Sequence, residues 1–263
     1  MKHLGNQNLA ASPNARGQTM KRDSRLRVAQ AVLLLALVFG GIEASGKPLA
    51  SRATAPAGMV EFDTLTLSTE AFLNGVKVDS FTGRRITKSP SEAQLSRIGQ
   101  VYDVYQALVL LATHPRIDPA RLALMGSSRA GGLAVSAATV RARKAQLPAG
   151  VDFCEYLALY PSISETDANE PIAAKPMRIF AGTADERNPI ALIRTFTEKE
   201  RAAGADVKLV EYEGAHHSFD DPDFRSPVLV SGSRSFTVAY HPQAHAKVKQ
   251  DMKETLAEIF GSR

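Results

Sequence analysis

Three stretches of the chain hold residue types that can do covalent chemistry together. The first is Arg121-Leu-Ala-Leu-Met-Gly126-Ser127-Ser128-Arg129-Ala130-Gly131-Gly132. An apolar run enters a Gly-rich turn and then a helical stretch, the context in which a serine can be held in a strained, exposed turn as a nucleophile. Such a turn tolerates only small residues two positions before and after the nucleophile. Gly126 and Ala130 meet that requirement around Ser128, whereas Met125 and Arg129 fail it around Ser127. A serine nucleophile needs a base, and the base needs an orienting acid, in the chain order Ser, acid, His for this kind of turn. Gly182-Thr-Ala-Asp185-Glu186 supplies the acid, with Glu186 as a weaker substitute, and Glu213-Gly-Ala-His216-His217-Ser-Phe219-Asp220 supplies the base. The chemistry these residues point to is acyl transfer: His217 takes the Ser128 proton, Asp185 holds the imidazole, and water later releases the acyl group.

The elements around these residues must bring them to one place. Strands are expected at Glu61–Leu67, Val76–Val78, Arg121–Met125, Glu155–Tyr160, Met177–Ala181 and Val207–Glu213. Helices are expected over 92–114, with Leu95, Ile98, Tyr102, Tyr105 and Val109 as its apolar stripe, and over 133–145, 189–203 and 244–260. Alternating strands and helices predict an α/β chain with a mostly parallel central sheet and helices on both faces. In such a sheet, groups that follow strand ends collect at one edge. Ser128, Asp185 and His217 each follow a predicted strand.

Other readings of the same residues are weaker. The turn is not G-x-G-x-x-G and no Walker lysine follows, which argues against nucleotide binding. His216, His217, Asp220 and Asp221 are bunched in one turn, better suited to a polar loop than to a metal site. No metal and no cofactor is expected. His216 is read as structural or pocket-lining, and His3, His114, His241 and His245 carry no functional reading.

The formal net charge is +5, but residues 1–46 hold most of the excess and the rest is close to neutral. That excludes a body built to bind nucleic acid through phosphate contacts. Within residues 1–46, a basic segment from Lys21 to Arg27 precedes the apolar run Ala31–Phe39, then Gly40-Gly41 and small residues. The run is shorter than the roughly 20 residues of a membrane span and reads as a signal peptide. It would be cut before Lys47 or after Ala44, with an upstream extension if Met20 is the start. The expected organisation is a leader over 1–46, a linker over 47–58 and one domain over 59–263. The product would be exported, periplasmic or secreted, with no stable membrane span after cleavage. Cys154, the single cysteine, reads as a small buried residue.

The chain resembles the dienelactone hydrolase-like branch of the α/β-hydrolase superfamily. The matching pieces are Val78-Asp79-Ser-Phe81-Thr-Gly83-Arg84, His114-Pro-Arg-Ile-Asp118-Pro-Ala-Arg121, Gly126-Ser-Ser128-Arg-Ala-Gly131-Gly132, Gly182-Thr-Ala-Asp185 and Tyr212-Glu-Gly-Ala-His-His217-Ser-Phe219-Asp220. The resemblance implies an α/β-hydrolase fold, a small-molecule ester or lactone substrate, and Ser128, Asp185 and His217 as triad. Founding members use Cys where this chain has Ser128. The backbone N–H of Arg129 is the implied oxyanion donor, and Arg84, His216 and Phe219 are candidate pocket residues. The chain departs from the family pattern in one respect. The strand and loop that normally supply the second oxyanion donor do not fit between Leu67 and Val76, so the sheet is expected to be shortened on its N-terminal side, with a strand edge exposed. Two function classes follow: an active serine hydrolase, or a hydrolase-like protein with impaired catalysis, serving as a binding module or a truncated product.

Overall fold

A computed structural model describes residues 29–35, 61–65, 73–78, 80–81, 84–86, 95–114, 117–147, 150–173, 175–231 and 235–260. The leader segments outside 29–35, the cleavage positions Ala44–Gly46 and the linker 47–58 lie outside the described residues. Strands β1 (Ala29–Leu35), β2 (Glu61–Leu65), β3 (Leu73–Lys77), β4 (Ile117–Ser127), β5 (Glu155–Leu159), β6 (Met177–Gly182) and β7 (Val207–Tyr212) form one sheet in the order β2-β3-β1-β4-β5-β6-β7. Only β2 and β3 pair antiparallel; every other neighbouring pair is parallel.

Both faces of the β4–β7 part of this sheet are covered, as its residue pattern requires. Leu122 and Leu124, Tyr156 and Ala158, and Met177, Ile179 and Ala181 point to one face. There they pack with α1 (Arg97–Ala112), α2 (Arg129–Ala138), α3 (Val140–Gln146) and Ile193 and Phe196 of α5 (Ile190–Ala202). The intervening Ala123, Leu157, Leu159 and Phe180 face the other way and pack with Phe219 and with Ala244, Val248, Leu256 and Phe260 of α6 (Pro242–Phe260). Strands buried on both faces read as near-continuous apolar runs, which is how β4, β5 and β6 read. The short helix α4 (Glu165–Asn169) and a separate hairpin of β8 (Val228–Val230) and β9 (Phe236–Val238) were not expected from the sequence.

Three details differ from the sequence reading. Residues 29–35, read as part of a leader, are strand β1. Between β2 and β3 there is no room for another strand, but the place beside β4 is filled by β1, in register from Ala31 against Leu122 to Leu35 against Gly126. β4 therefore has a neighbour on both sides, β1 on one and β5 on the other. A short apolar run suits a leader and a strand inside a parallel sheet equally well, and periodicity does not separate the two.

The second difference is the face of α1. Its N-cap is Ser96, whose Oγ accepts the Gly99 N–H. Its buried stripe is Val101, Val104, Tyr105, Leu108 and Leu111, while Ile98 and Tyr102 are exposed. The helix is apolar almost all round, so spacing alone fits more than one stripe and the packing against α2 and β4 selects one. The third is a break in the helix expected over 133–145: Thr139 is extended, its Oγ1 accepts the Ala142 N–H, and α3 starts anew.

Candidate active site

Ser128 sits where β4 turns into α2, with φ 52° and ψ −116°, a conformation that strains a residue carrying a side chain. The turn is tight because backbone meets backbone. A Cβ on Gly126 would lie 2.3 Å from the Ala130 carbonyl oxygen, and one on Gly132 would lie 2.2 Å from that of Ser162. Ala130 itself is fully buried, so a methyl is accommodated where many such turns carry a second glycine. The strain is held by hydrogen bonds: the Ser128 N–H donates to the Leu159 carbonyl, and the Ser128 carbonyl accepts from the N–H groups of Gly132 and Ser162.

Asp185 follows β6 and is buried. Its Oδ1 accepts the backbone N–H groups of Arg187, at 2.8 Å, and Asn188, at 2.9 Å. Its Oδ2 lies 2.8 Å from His217 Nδ1. In the tautomer whose Nδ1–H donates to this oxygen, Nε2 is left as an acceptor. That Nε2 lies 2.8 Å from Ser128 Oγ. The structure thus brings together the three residues singled out in the sequence, all of them buried, at the edge where β4, β6 and β7 end.

The loops carrying Asp185 and His217 are stitched to each other. A Cβ on Gly182 would lie 2.1 Å from the Ala215 carbonyl oxygen. The Ala184 N–H donates to that same oxygen, and Gly214 N–H donates to Thr183 Oγ1. Glu186 is turned elsewhere: its carboxylate accepts the Thr237 N–H at 2.8 Å and lies 3.6 Å from His216 Nδ1. The Thr237 N–H, ahead of other contributions, holds the Glu186 carboxyl below its ordinary range. Glu186 is therefore not a substitute for Asp185 in this geometry, and His216 is a partner of Glu186.

Two of the candidate pocket residues have other roles. Arg84 forms a bidentate pair with Asp103 of α1, at 2.7 and 2.8 Å, and also donates to the Ser80 carbonyl. Phe219 is fully buried, its ring against Tyr160 and Tyr212, so it is core beneath the histidine turn and not a pocket wall. The Arg129 N–H is at the first residue of α2, in the helical turn whose N–H groups lack an intrahelical acceptor.

Several residues around the site carried no signal in the sequence reading. Tyr160 has φ 34°, donates its hydroxyl to Asp220 at 2.9 Å, and sets its ring edge-to-face on His217 at 4.9 Å. Burial pushes both the Tyr160 phenol and the Asp220 carboxyl up. Asn188 Nδ2 donates to the Tyr160 carbonyl at 2.7 Å. Phe236 of β9 meets His217 from another side, at 5.5 Å. Tyr160 before Pro161 and Asn188 before Pro189 had marked only the end of a strand and the start of a helix. Cys154, expected to be buried, is half-buried, and its partial burial pushes its thiol up to about 11. Among the described residues no cluster of three or more potential metal ligands occurs, and no helix is long and apolar enough to cross a membrane.

The dienelactone hydrolase family matches residues 80–260. Among solved structures, the chain is similar to esterase 2 of Thermogutta terrifontis phosphorylated by paraoxon. The TM-score is 0.56 at 17% identity, over 91% of this chain and 86% of that one. It is similar to the propionate-bound form of that esterase with a TM-score of 0.54 at 18% identity, over 91% and 87% of the two chains. At such identities the likeness is one of fold. A comparison with curated proteins returns no match.

Proposed function

Since the chain belongs to the dienelactone hydrolase family, we propose that it hydrolyses carboxylic ester or lactone bonds by a serine mechanism. Ser128 is the nucleophile, His217 the general base and Asp185 the group that orients His217. The observation that carries the proposal is the run of two 2.8 Å contacts, Ser128 Oγ to His217 Nε2 and His217 Nδ1 to Asp185 Oδ2. Ser128 Oγ attacks the carbonyl carbon while Nε2 takes its proton. The imidazolium, held by Asp185, gives that proton to the departing alkoxide as the acyl–oxygen bond breaks. Water, deprotonated by His217, then attacks the acyl-enzyme and frees the acid and Ser128. The Arg129 N–H, at the start of α2, is the proposed donor to the oxyanion, favoured further by the positive end of the helix.

The similar esterase was captured as a phosphorylated form, which makes an organophosphorus probe the direct test. A phosphonate fluoridate is expected to label Ser128 stoichiometrically and abolish hydrolysis of p-nitrophenyl acetate, with no labelling of Ser128→Ala. Folded wild-type protein that takes no label, or equal labelling of Ser128→Ala, overturns the proposal.

Export is a second part of the proposal. The order of basic segment, apolar run and small residues within 21–46 supports it. A cut at Gly46 and the pairing of β1 with β4 assign residues 29–35 opposite fates, and the two are separable by the truncation described below.

A further inference from the structure

The β8–β9 hairpin is anchored at the reacting end of the molecule. Its strand β9 runs beside the histidine turn: His217 bridges to Val238 in parallel, and the Ala239 N–H donates to the His217 carbonyl. The two residues after Asp185 grip it from the other loop. Glu186 accepts the Thr237 N–H, and the Arg187 guanidinium lies over the Phe236 ring at 5.2 Å. The hairpin is thus tied both to the histidine loop and to the loop of its carboxylate partner.

The pairing fixes which side chains it presents. Val228 opposes Val238, Leu229 opposes Thr237, and Val230 opposes Phe236. Opposed residues share a face and neighbours alternate, so Val228, Val230, Phe236 and Val238 form one face and Leu229 and Thr237 the other. The first face is the one that meets His217, because the Phe236 ring lies against the imidazole. It is apolar throughout, and it is not closed off. Val238 at its root is buried, Phe236 and Val230 are half-buried, and Val228 is 41% exposed.

We infer that this face is the specificity wall of the site: Val228, Val230 and Phe236 receive the non-reacting apolar group of an ester whose carbonyl is attacked by Ser128. The inference rests on the serine-hydrolase proposal above. It adds that the preferred substrates are uncharged esters with an alkyl or aryl group beside His217. Glu186 and Arg187 act at one remove, by keeping the hairpin in place.

The test is the ratio of kcat/KM for p-nitrophenyl hexanoate or butyrate to that for the acetate, read on a single preparation so that the folded fraction cancels. Each methylene that leaves water for an apolar wall contributes about fourfold, so wild type is expected to favour butyrate, with two more methylenes, over acetate by about 16-fold. Phe236→Ala and Val230→Asp are expected to bring that ratio to near unity, and Phe236→Leu to retain most of it. Glu186→Ala, which removes the grip on Thr237 together with the contact to His216, should lower the ratio part of the way. Leu229→Ser, on the outer face, should leave it as in wild type. A ratio kept in both Phe236→Ala and Val230→Asp, or lost equally in Leu229→Ser, overturns the wall. A wild type that is labelled at Ser128 but indifferent to chain length overturns the wall alone. A wild type that is neither labelled nor active overturns the serine proposal and the wall with it.

Discussion

Gly182→Ala is the sharpest probe of how the site is held. Gly182 ends β6, three residues before Asp185, and Ala215 stands two residues before His217. The added methyl would sit 2.1 Å from the Ala215 carbonyl oxygen and 2.7 Å from its carbon. Ordinary carbon contacts need well over 3 Å, so one loop must retreat by about 1 Å. Both neighbours are backbone, so no side chain can rotate out of the way. The retreat stretches the Ala184–Ala215 hydrogen bond, now 3.1 Å, and pulls against the 2.8 Å contact between Asp185 and His217. Overpacking costs about 1–3 kcal/mol and a lost backbone hydrogen bond about 1 more, so urea unfolding should show a loss of about 2–4 kcal/mol. A misplacement of this size at a reacting group costs about 10²-fold in rate, read as kcat/KM on p-nitrophenyl acetate. Gly204→Ala is the matched control. It has φ 88° and nothing within 4 Å of the added methyl, so it carries only backbone strain of about 1 kcal/mol and no change in rate. Full activity and stability in Gly182→Ala, or an equal loss of rate in Gly204→Ala, would refute the reasoning.

Two further outcomes follow from the sheet. Glu155, at the start of β5, is pushed up to about 7 from its ordinary 4.5, chiefly by burial and against the pull of Arg178, whose Nε is 3.1 Å away. Its folded value is the higher one, so its favourable contribution is complete below about 4.5 and is lost as pH rises through about 7. From pH 5 to pH 8 wild type should lose on the order of 1–2 kcal/mol through this group after allowance for solvent screening, and Glu155→Gln should lose that slope in urea titrations; an unchanged slope in the variant contradicts it. A chain starting at Lys47 lacks β1, the strand between β3 and β4. It is expected to lose cooperative unfolding and hydrolase activity, whereas a truncated chain that folds and turns over like the full one would make β1 dispensable and leave residues 1–46 free to serve as a removable leader.

The parts of the fold that were legible in the sequence are those set by local sterics and strand ends. Gly126 and Ala130 picked out Ser128 over Ser127 because the turn leaves no other choice, and the structure shows the backbone contact behind that rule. The meeting of Asp185 and His217 at one edge was legible because each follows a strand in a parallel sheet. What escaped depends on which surfaces meet. The buried stripe of α1 runs through Val101, Val104, Leu108 and Leu111, and not through Ile98 and Tyr102, because the choice lies with α2 and β4. The apolar run of β1 has no mark to distinguish a strand from a leader. The hairpin that meets His217 is built of two three-residue strands in a polar stretch, too short for any period to register. Phe219 sits in the same motif as His217, yet its ring packs into the core against Tyr160 and Tyr212.

The site divides into two mechanical halves. Ser128 is held by the elbow and what lies behind it. Ser162 donates its N–H to the Ser128 carbonyl, and the Ser162 carbonyl in turn accepts from Arg97 of α1 at 3.0 Å. Arg97 and Ser136 both reach the buried Asp167, so its charge is paired and hydrogen-bonded as burial demands. Strain of the kind seen at Ser128, about 1–3 kcal/mol, persists only where neighbours fix every backbone group, and here its N–H and its carbonyl are both engaged. Asp185 and His217 belong to the other half, on the loops after β6 and β7. Apart from the contacts among Ser128, Asp185 and His217, Tyr160 spans the two. It follows Leu159, whose carbonyl holds the Ser128 N–H, and its own N–H donates to Phe180 of β6. Its carbonyl accepts Asn188 from the Asp185 loop, its hydroxyl reaches Asp220 in the histidine turn, and its ring lies against His217. The proton relay proposed for Ser128, His217 and Asp185 would tolerate little drift between its members. One buried residue tied to all three loops limits that drift more directly than three separately braced loops would.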